Sequence, residues 1–265
     1  MLLSSVILVL REVLEAALLV SLLMALSRRL GLKSIWVLVA LLAGLLGAAI
    51  YGFNIDRITE WFDGVGQEVV NALLQSIVYV LLCVIAVITM RRLNGGAISV
   101  SFLSVLMTVC VMLAIVREGS EIMIYLSGFL QVRDLLVPVL AGSAIGAGIG
   151  VSVGVVFYFG LLNLSRSAAI VVGAVLLSLV AAGMLAQATQ MLIQADWLPS
   201  QYPLWDSSWL VSERSITGQL LYALVGYEAS PSPLQVLAHV LSLVFIISVA
   251  AISGRLVKAA GVESV

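Results

Sequence analysis

Residues 98–127 read ISVSFLSVLMTVCVMLAIVREGSEIMIYLS. A transmembrane helix needs about 20 mainly apolar residues, and this run exceeds that. It also carries Arg117, Glu118 and Glu121 inside its second half. Residues 3–27 repeat the design, an apolar run interrupted by Arg11, Glu12 and Glu15. Both clusters fit R-E-x-x-E, and they are offset by 106 residues (117 − 11). Each charge placed at the centre of a bilayer costs ~2.5–3.5 kcal/mol on insertion scales. Six of them, in two copies of one pattern, point to a working site.

The rest of the chain fits the same reading. Of its 265 residues, 62% are hydrophobic and 10% charged, where a soluble domain has about 25% charged. The fold class expected is an all-α polytopic membrane protein with seven spans: 3–27, 34–53, 69–90, 98–127, 135–162, 168–190 and 234–254. One transmembrane domain fills residues 1–265, leaving little chain for anything soluble. The first run is not read as a signal peptide, because it lacks a basic start and has charges in its middle. With the N-terminus outside, the inner loops hold Arg28, Arg29, Lys33, Arg91, Arg92, Arg166, Arg255 and Lys258. The outer loops then hold only Arg57, Arg133 and Arg214. The positive-inside rule gives N-out, C-in. The same outer side collects Asp56, Glu60, Asp63, Glu68, Asp134, Asp196, Asp206, Glu213 and Glu228, which either concentrate cations or simply serve solubility. Cys83 and Cys110 have no redox or metal spacing and read as packing residues.

Internal similarity organises the spans. Span 2 has small residues at every fourth position (Ala40, Gly44, Ala48, Gly52), and so does span 5 (Gly142, Gly146, Gly150, Gly154). Such ladders let helices approach closely in membranes. Spans 1 and 2 thus resemble spans 4 and 5 with opposite orientation. This predicts a 3+3 inverted repeat, residues 1–90 and 98–190, with the site at the repeat interface. An outer aromatic-rich loop, 191–233, and a seventh helix, 234–254, follow. Within the loop, residues 215–225 are expected to form a short helix ending at Gly226, in a segment suited to act as a lid or re-entrant cover.

Helical geometry gives the motif its chemistry. At ~100° per residue, Glu12 and Glu15 fall about 100° and 40° from Arg11, so all three share one face. The second motif behaves identically. Four carboxylates and two guanidiniums then converge with a formal charge of −2. An all-oxygen donor set suits hard cations. The arginines keep the glutamates ionised and limit attraction so that an ion can leave. No His or Cys joins the motifs, against zinc or copper. A buried ion-pair network that only fixes packing is the plainer alternative. Further polar residues could line a pathway: Gln187, Gln190 and Gln194 in span 6, and Glu68 and Gln75 on a span 3 face shared with Ala72 and Tyr79. Interhelical hydrogen bonding is their simpler role. His239, the single histidine, and the scattered methionines read as packing residues.

Paired R-E-x-x-E motifs in the first and fourth of seven spans resemble the high-affinity iron permeases, the oxidase-dependent iron transporters of fungi and bacteria. The stretch Leu204-Trp205-Asp206-Ser207-Ser208-Trp209-Leu210, with Gly226-Tyr227 and Pro231, is similar to that family's last outer loop. The resemblance implies iron ligation by Glu12, Glu15, Glu118 and Glu121, with Arg11 and Arg117 in support. It also implies an extracytoplasmic oxidase or iron-delivery protein as partner. Val13 stands where the family commonly has Gly, a change of geometry rather than of ligand.

The leading expectation is a permease importing iron, as the ferric ion, across the cytoplasmic (inner) membrane. Iron is cargo here, and no cofactor is expected. Transport of lead or manganese is the nearest alternative, and a membrane-embedded lipid-phosphate enzyme a more distant one. No motif for nucleic acid is present.

Overall fold

The structure, a computed structural model, describes residues 1–93, 99–129, 132–213 and 215–262. Arg214 lies outside the described residues, as do the side chains of Arg133, Arg166, Arg255 and Lys258 used in the orientation argument. Among the described residues the regular structure is helical. The elements are α1 (Leu2–Arg29), α2 (Ile35–Phe53), α3 (Ile55–Thr59), α4 (Gly66–Leu93), α5 (Val100–Ser127), α6 (Arg133–Asn163), α7 (Arg166–Gln194), α8 (Ile216–Val225) and α9 (Pro233–Val262). A short 3-10 turn, Trp61–Gly64, precedes α4.

Among the described residues six helices are long and apolar enough to cross a membrane by length and composition: α2, α4, α5, α6, α7 and α9. Seven spans were expected. The exception is α1, which has the length, 28 residues, but holds three or more charges in every 18-residue window. Its charges are those of the first motif and Arg28 and Arg29.

The small-residue ladders decide which helices pair. The α6 ladder lies on α1, and a Cβ added to Gly146 would sit 2.5 Å from the Val6 carbonyl oxygen. Gly142, Gly150 and Gly154 press on Leu2, Val13 and Ala17 in the same way. The α2 ladder lies on α5, with Gly44 against Ile115 and Gly119 against Ala48. The remaining major pair is α4 with α7, and α9 packs on both. The apolar core fills one end of the bundle, with Leu23, Leu82, Ile85, Leu103, Met107 and Cys110 fully enclosed. At that end Arg29 donates to the Leu161 and Leu164 carbonyls (both 2.8 Å), satisfying the C-terminus of α6.

The helix expected at 215–225 forms as α8. The Ser215 hydroxyl accepts from Gly218 N at its start, and Gly226 ends it in the left-handed region (φ +65°). A side chain at Gly226 would collide with Gly183 of α7. Ala223 packs on Leu14 and Leu18, so α8 runs down the face of α1 to the level of the charged motif. The turn into α9 is tied by Glu213, which accepts from Ala229 N (2.6 Å), and by Glu228, which accepts from Gln235.

Gly146→Val is expected to overpack α1·α6, a change that costs ~1–3 kcal/mol in packed cores, and to lower the unfolding temperature in detergent. Gly148→Val, where an added Cβ meets open space, is the matched control and should leave it unchanged. Burial, and then the neighbouring Glu213, push the Glu228 carboxyl above its ordinary range. The folded turn therefore binds that proton more tightly than an unfolded chain does. Its contribution is complete below the ordinary carboxyl pKa and is lost as pH rises through the raised one. Limited proteolysis of residues 195–213 should accelerate as pH rises above the ordinary carboxyl range in the wild type, and less so in Glu228→Gln.

Candidate metal centre

The first half of α1 and the second half of α5 bring both motifs to one place. Glu12, Glu15 and Glu118 are buried, and one carboxylate oxygen from each lies within 4.8 Å of the others. A cation with metal–oxygen bonds of ~2.0–2.5 Å spans oxygens up to ~5 Å apart. Arg117 is the internal counter-charge. Its Nη1 donates to Glu118 Oε1 (2.5 Å) and Glu15 Oε2 (3.3 Å). Its Nη2 lies 3.1 Å from Glu121 Oε1. Arg11 sits at the margin, 3.4 Å from Glu15 Oε1 and 3.9 Å from Glu12 Oε1. All six motif residues therefore belong to one network.

Amides from α4 and α7 extend it. Gln187 Nε2 donates to Glu15 Oε2 (3.2 Å), and Gln75 Nε2 donates to Gln187 Oε1 (2.6 Å). Asn71 donates to Glu121 Oε1 (3.5 Å) and accepts from the Tyr51 hydroxyl (3.4 Å). Two carboxylate oxygens, Glu12 Oε2 and Glu118 Oε2, are buried without a hydrogen-bond partner. Buried polar atoms are nearly always paired. An unpaired pair of carboxylate oxygens at the centre of a cluster is suited to receive a cation.

Among the described residues two cavities reach the cluster. The first, about 320 Å³, is lined by Glu68, Asn71, Glu121, Tyr125 and Gln194 among others, at the N-terminal ends of α1 and α4. The second, about 590 Å³, is a mostly apolar cleft between the α1·α6 and α2·α5 pairs, with Glu12 and Glu118 on its wall. Of the other pathway residues proposed from the sequence, Gln75 and Gln187 join the network itself, and Gln190, partly buried on α7, lines neither cavity. His239 lies beside Gly226 rather than in the cluster, and both cysteines are free and buried in the core.

Sequence reasoning missed three participants. Asn71 lies three residues after Glu68 and four before Gln75, so helical spacing could have found it. Tyr51 lies in the last turn of α2 without a local signal. Tyr222, from α8, lies over Arg11, with the guanidinium carbon 4.2 Å from the ring centre. No spacing rule links a loop residue to a motif more than two hundred positions earlier.

The family model described as Iron permease FTR1 family matches residues 2–264. The ferrous iron permease EfeU of Escherichia coli O157:H7 and that of Shigella sonnei (strain Ss046) are each 28% identical over 239 residues. Each match covers 84% of this chain and 86% of the relative. No solved structure matches.

Removing one partner of a buried ion pair typically costs ~3–5 kcal/mol. Arg117→Gln, which strands three carboxylates, should lose stability of that order in detergent unfolding. Arg11, with 39% of its side chain exposed against 3% for Arg117, should lose no more than about 1 kcal/mol as Arg11→Gln. Equal losses would contradict the asymmetry.

Proposed function

This chain belongs to the Iron permease FTR1 family and is a multi-pass membrane protein, and from that premise we propose that it imports iron across the cytoplasmic membrane on the four motif glutamates. The observation that carries this reading is the cluster itself: three buried carboxylate oxygens within 4.8 Å, in a bundle of apolar helices. Glu12, Glu15 and Glu118 form the central ligand set. Glu121, partly exposed to the smaller cavity, hands the ion to them. Glu68, Gln194 and Asn71 line the approach, and Gln75 and Gln187 hold Glu15 in position.

In this reading α1 is the seventh span. Its charges meet protein partners rather than lipid: Glu15 pairs with Arg117 of α5, Arg11 lies over Tyr222 of α8, and Arg28 and Arg29 bond to α6 and the residue that follows it, which removes the objection raised by its composition. Exchanging α1, α2 and α4 with α5, α6 and α7 turns the α1·α6 pair into α5·α2 and leaves α4·α7 paired with itself. The same exchange swaps Glu12 with Glu118. That pattern supports the 3+3 inverted repeat, and the basic residues of the inner loops carry the N-out, C-in orientation. The smaller cavity then faces outward, and the apolar core closes the inner side. Iron is released inward when the two repeats move apart at that core.

Iron is the cargo, the bilayer the solvent, and an extracytoplasmic oxidase or iron-delivery protein the supplier. The enzyme alternative weakens at Arg117, whose guanidinium is engaged by three carboxylates and is not free for a lipid phosphate. The ferric ion expected from the sequence and the ferrous ion named in the relatives make separate arms of one assay. Reconstituted in liposomes, the wild type should accumulate radioiron offered in one of these states. Glu118→Gln should reduce uptake at least about ten-fold, equivalent to ~1.4 kcal/mol. Equal uptake by the two proteins would overturn the assignment.

A further inference from the structure

We propose that Tyr222 sets the iron affinity of the glutamate cluster by holding Arg11 at its margin. The inference rests on reading the cluster as the iron site. Its starting point is a difference between two identical motifs. Arg117 is enclosed and bound to Glu15, Glu118 and Glu121 at 2.5–3.3 Å. Arg11, its counterpart on α1, keeps 39% of its side chain exposed and makes only the long contacts of 3.4 and 3.9 Å. The face of Tyr222 takes its place as Arg11's partner, with 4.2 Å between guanidinium carbon and ring centre. A cation over an aromatic face is attracted by the ring quadrupole, most strongly where water is excluded.

The ring is held firmly enough to do this. Ser215 caps the start of α8, Gly226 locks its end against Gly183, and Ala223 beds into Leu14 and Leu18 on either side of the Glu15 turn. The six motif residues carry a formal charge of −2, but at the margin Arg11 neutralises the carboxylates only through its 3.4 and 3.9 Å contacts. Folded further in, its guanidinium would compete with the metal for Glu12 and Glu15. The outer loop thus supplies a positioning residue that tunes a site on the far side of the sequence.

The test is equilibrium binding of radioiron, offered as the ferrous and as the ferric ion, to the purified full chain in detergent. Tyr222→Leu should weaken binding about five-fold. Tyr222→Phe, which keeps the aromatic face, should bind within about two-fold of the wild type. In an Arg11→Gln background, Tyr222→Leu should have no further effect. An equal loss in that background would show that α8 acts only through packing, and a loss in Tyr222→Phe would make the phenol itself a ligand. Either result overturns the proposal. Glu118→Gln in the same assay separates the two levels. Loss there with no Tyr222 effect defeats the Arg11 account alone, and unchanged binding there defeats the site beneath it.

Discussion

A guanidinium withdrawn from water and the carboxylates around it must neutralise one another inside a bundle of apolar helices. Arg117 meets that constraint by contacting Glu15 of α1 and Glu118 and Glu121 of its own helix. Desolvating an ion costs several kcal/mol even after relaxation, and only close partners repay it. The network therefore requires α1 and α5 to stay together. It also leaves a surplus of negative charge, because two guanidiniums, one of them at the margin, cannot balance four carboxylates. That surplus is the feature a packing device would not need and an ion carrier would.

The close approach of the helices is the second requirement, and glycine meets it. The α6 ladder lets α1 be gripped along its length, while the α2 ladder does the same for α5. Each motif helix is thus clamped from behind by a small-residue helix, and the two motif faces turn toward each other. The α4·α7 pair completes the enclosure and contributes Gln187, whose amide reaches Glu15, and Gln75, whose amide holds Gln187. Close packing and polar connection work here as one design, since neither the ladder nor the amides would place the carboxylates alone.

Much of this was legible in the sequence because periodicity carries it. Arg, Glu and Glu at one, two and five in a helical run must share a face, and ladders at every fourth position must pack closely. The short helix before Gly226 was readable from its cap residues. What could not be read was anything set by contact between distant segments. The sequence says nothing of which Arg is enclosed and which lies at the margin, because the motifs are alike. It groups Ala72 with Glu68 and Gln75, whereas Asn71 is the neighbour that reaches Glu121. The place of α8 beside Arg11 depends on Gly183 and Gly226 meeting, a tertiary fact without local trace.

The central claim is that iron is bound by carboxylate oxygens contributed by both motifs. Locating iron by anomalous scattering in crystals of the full chain tests it most directly. The account predicts one iron position between Glu12, Glu15 and Glu118, with oxygen ligands at ~2.0–2.2 Å, and its disappearance in Glu12→Gln. Iron found on the loop aromatics, at His239 or at the cysteines, with the carboxylate cluster empty, would contradict it.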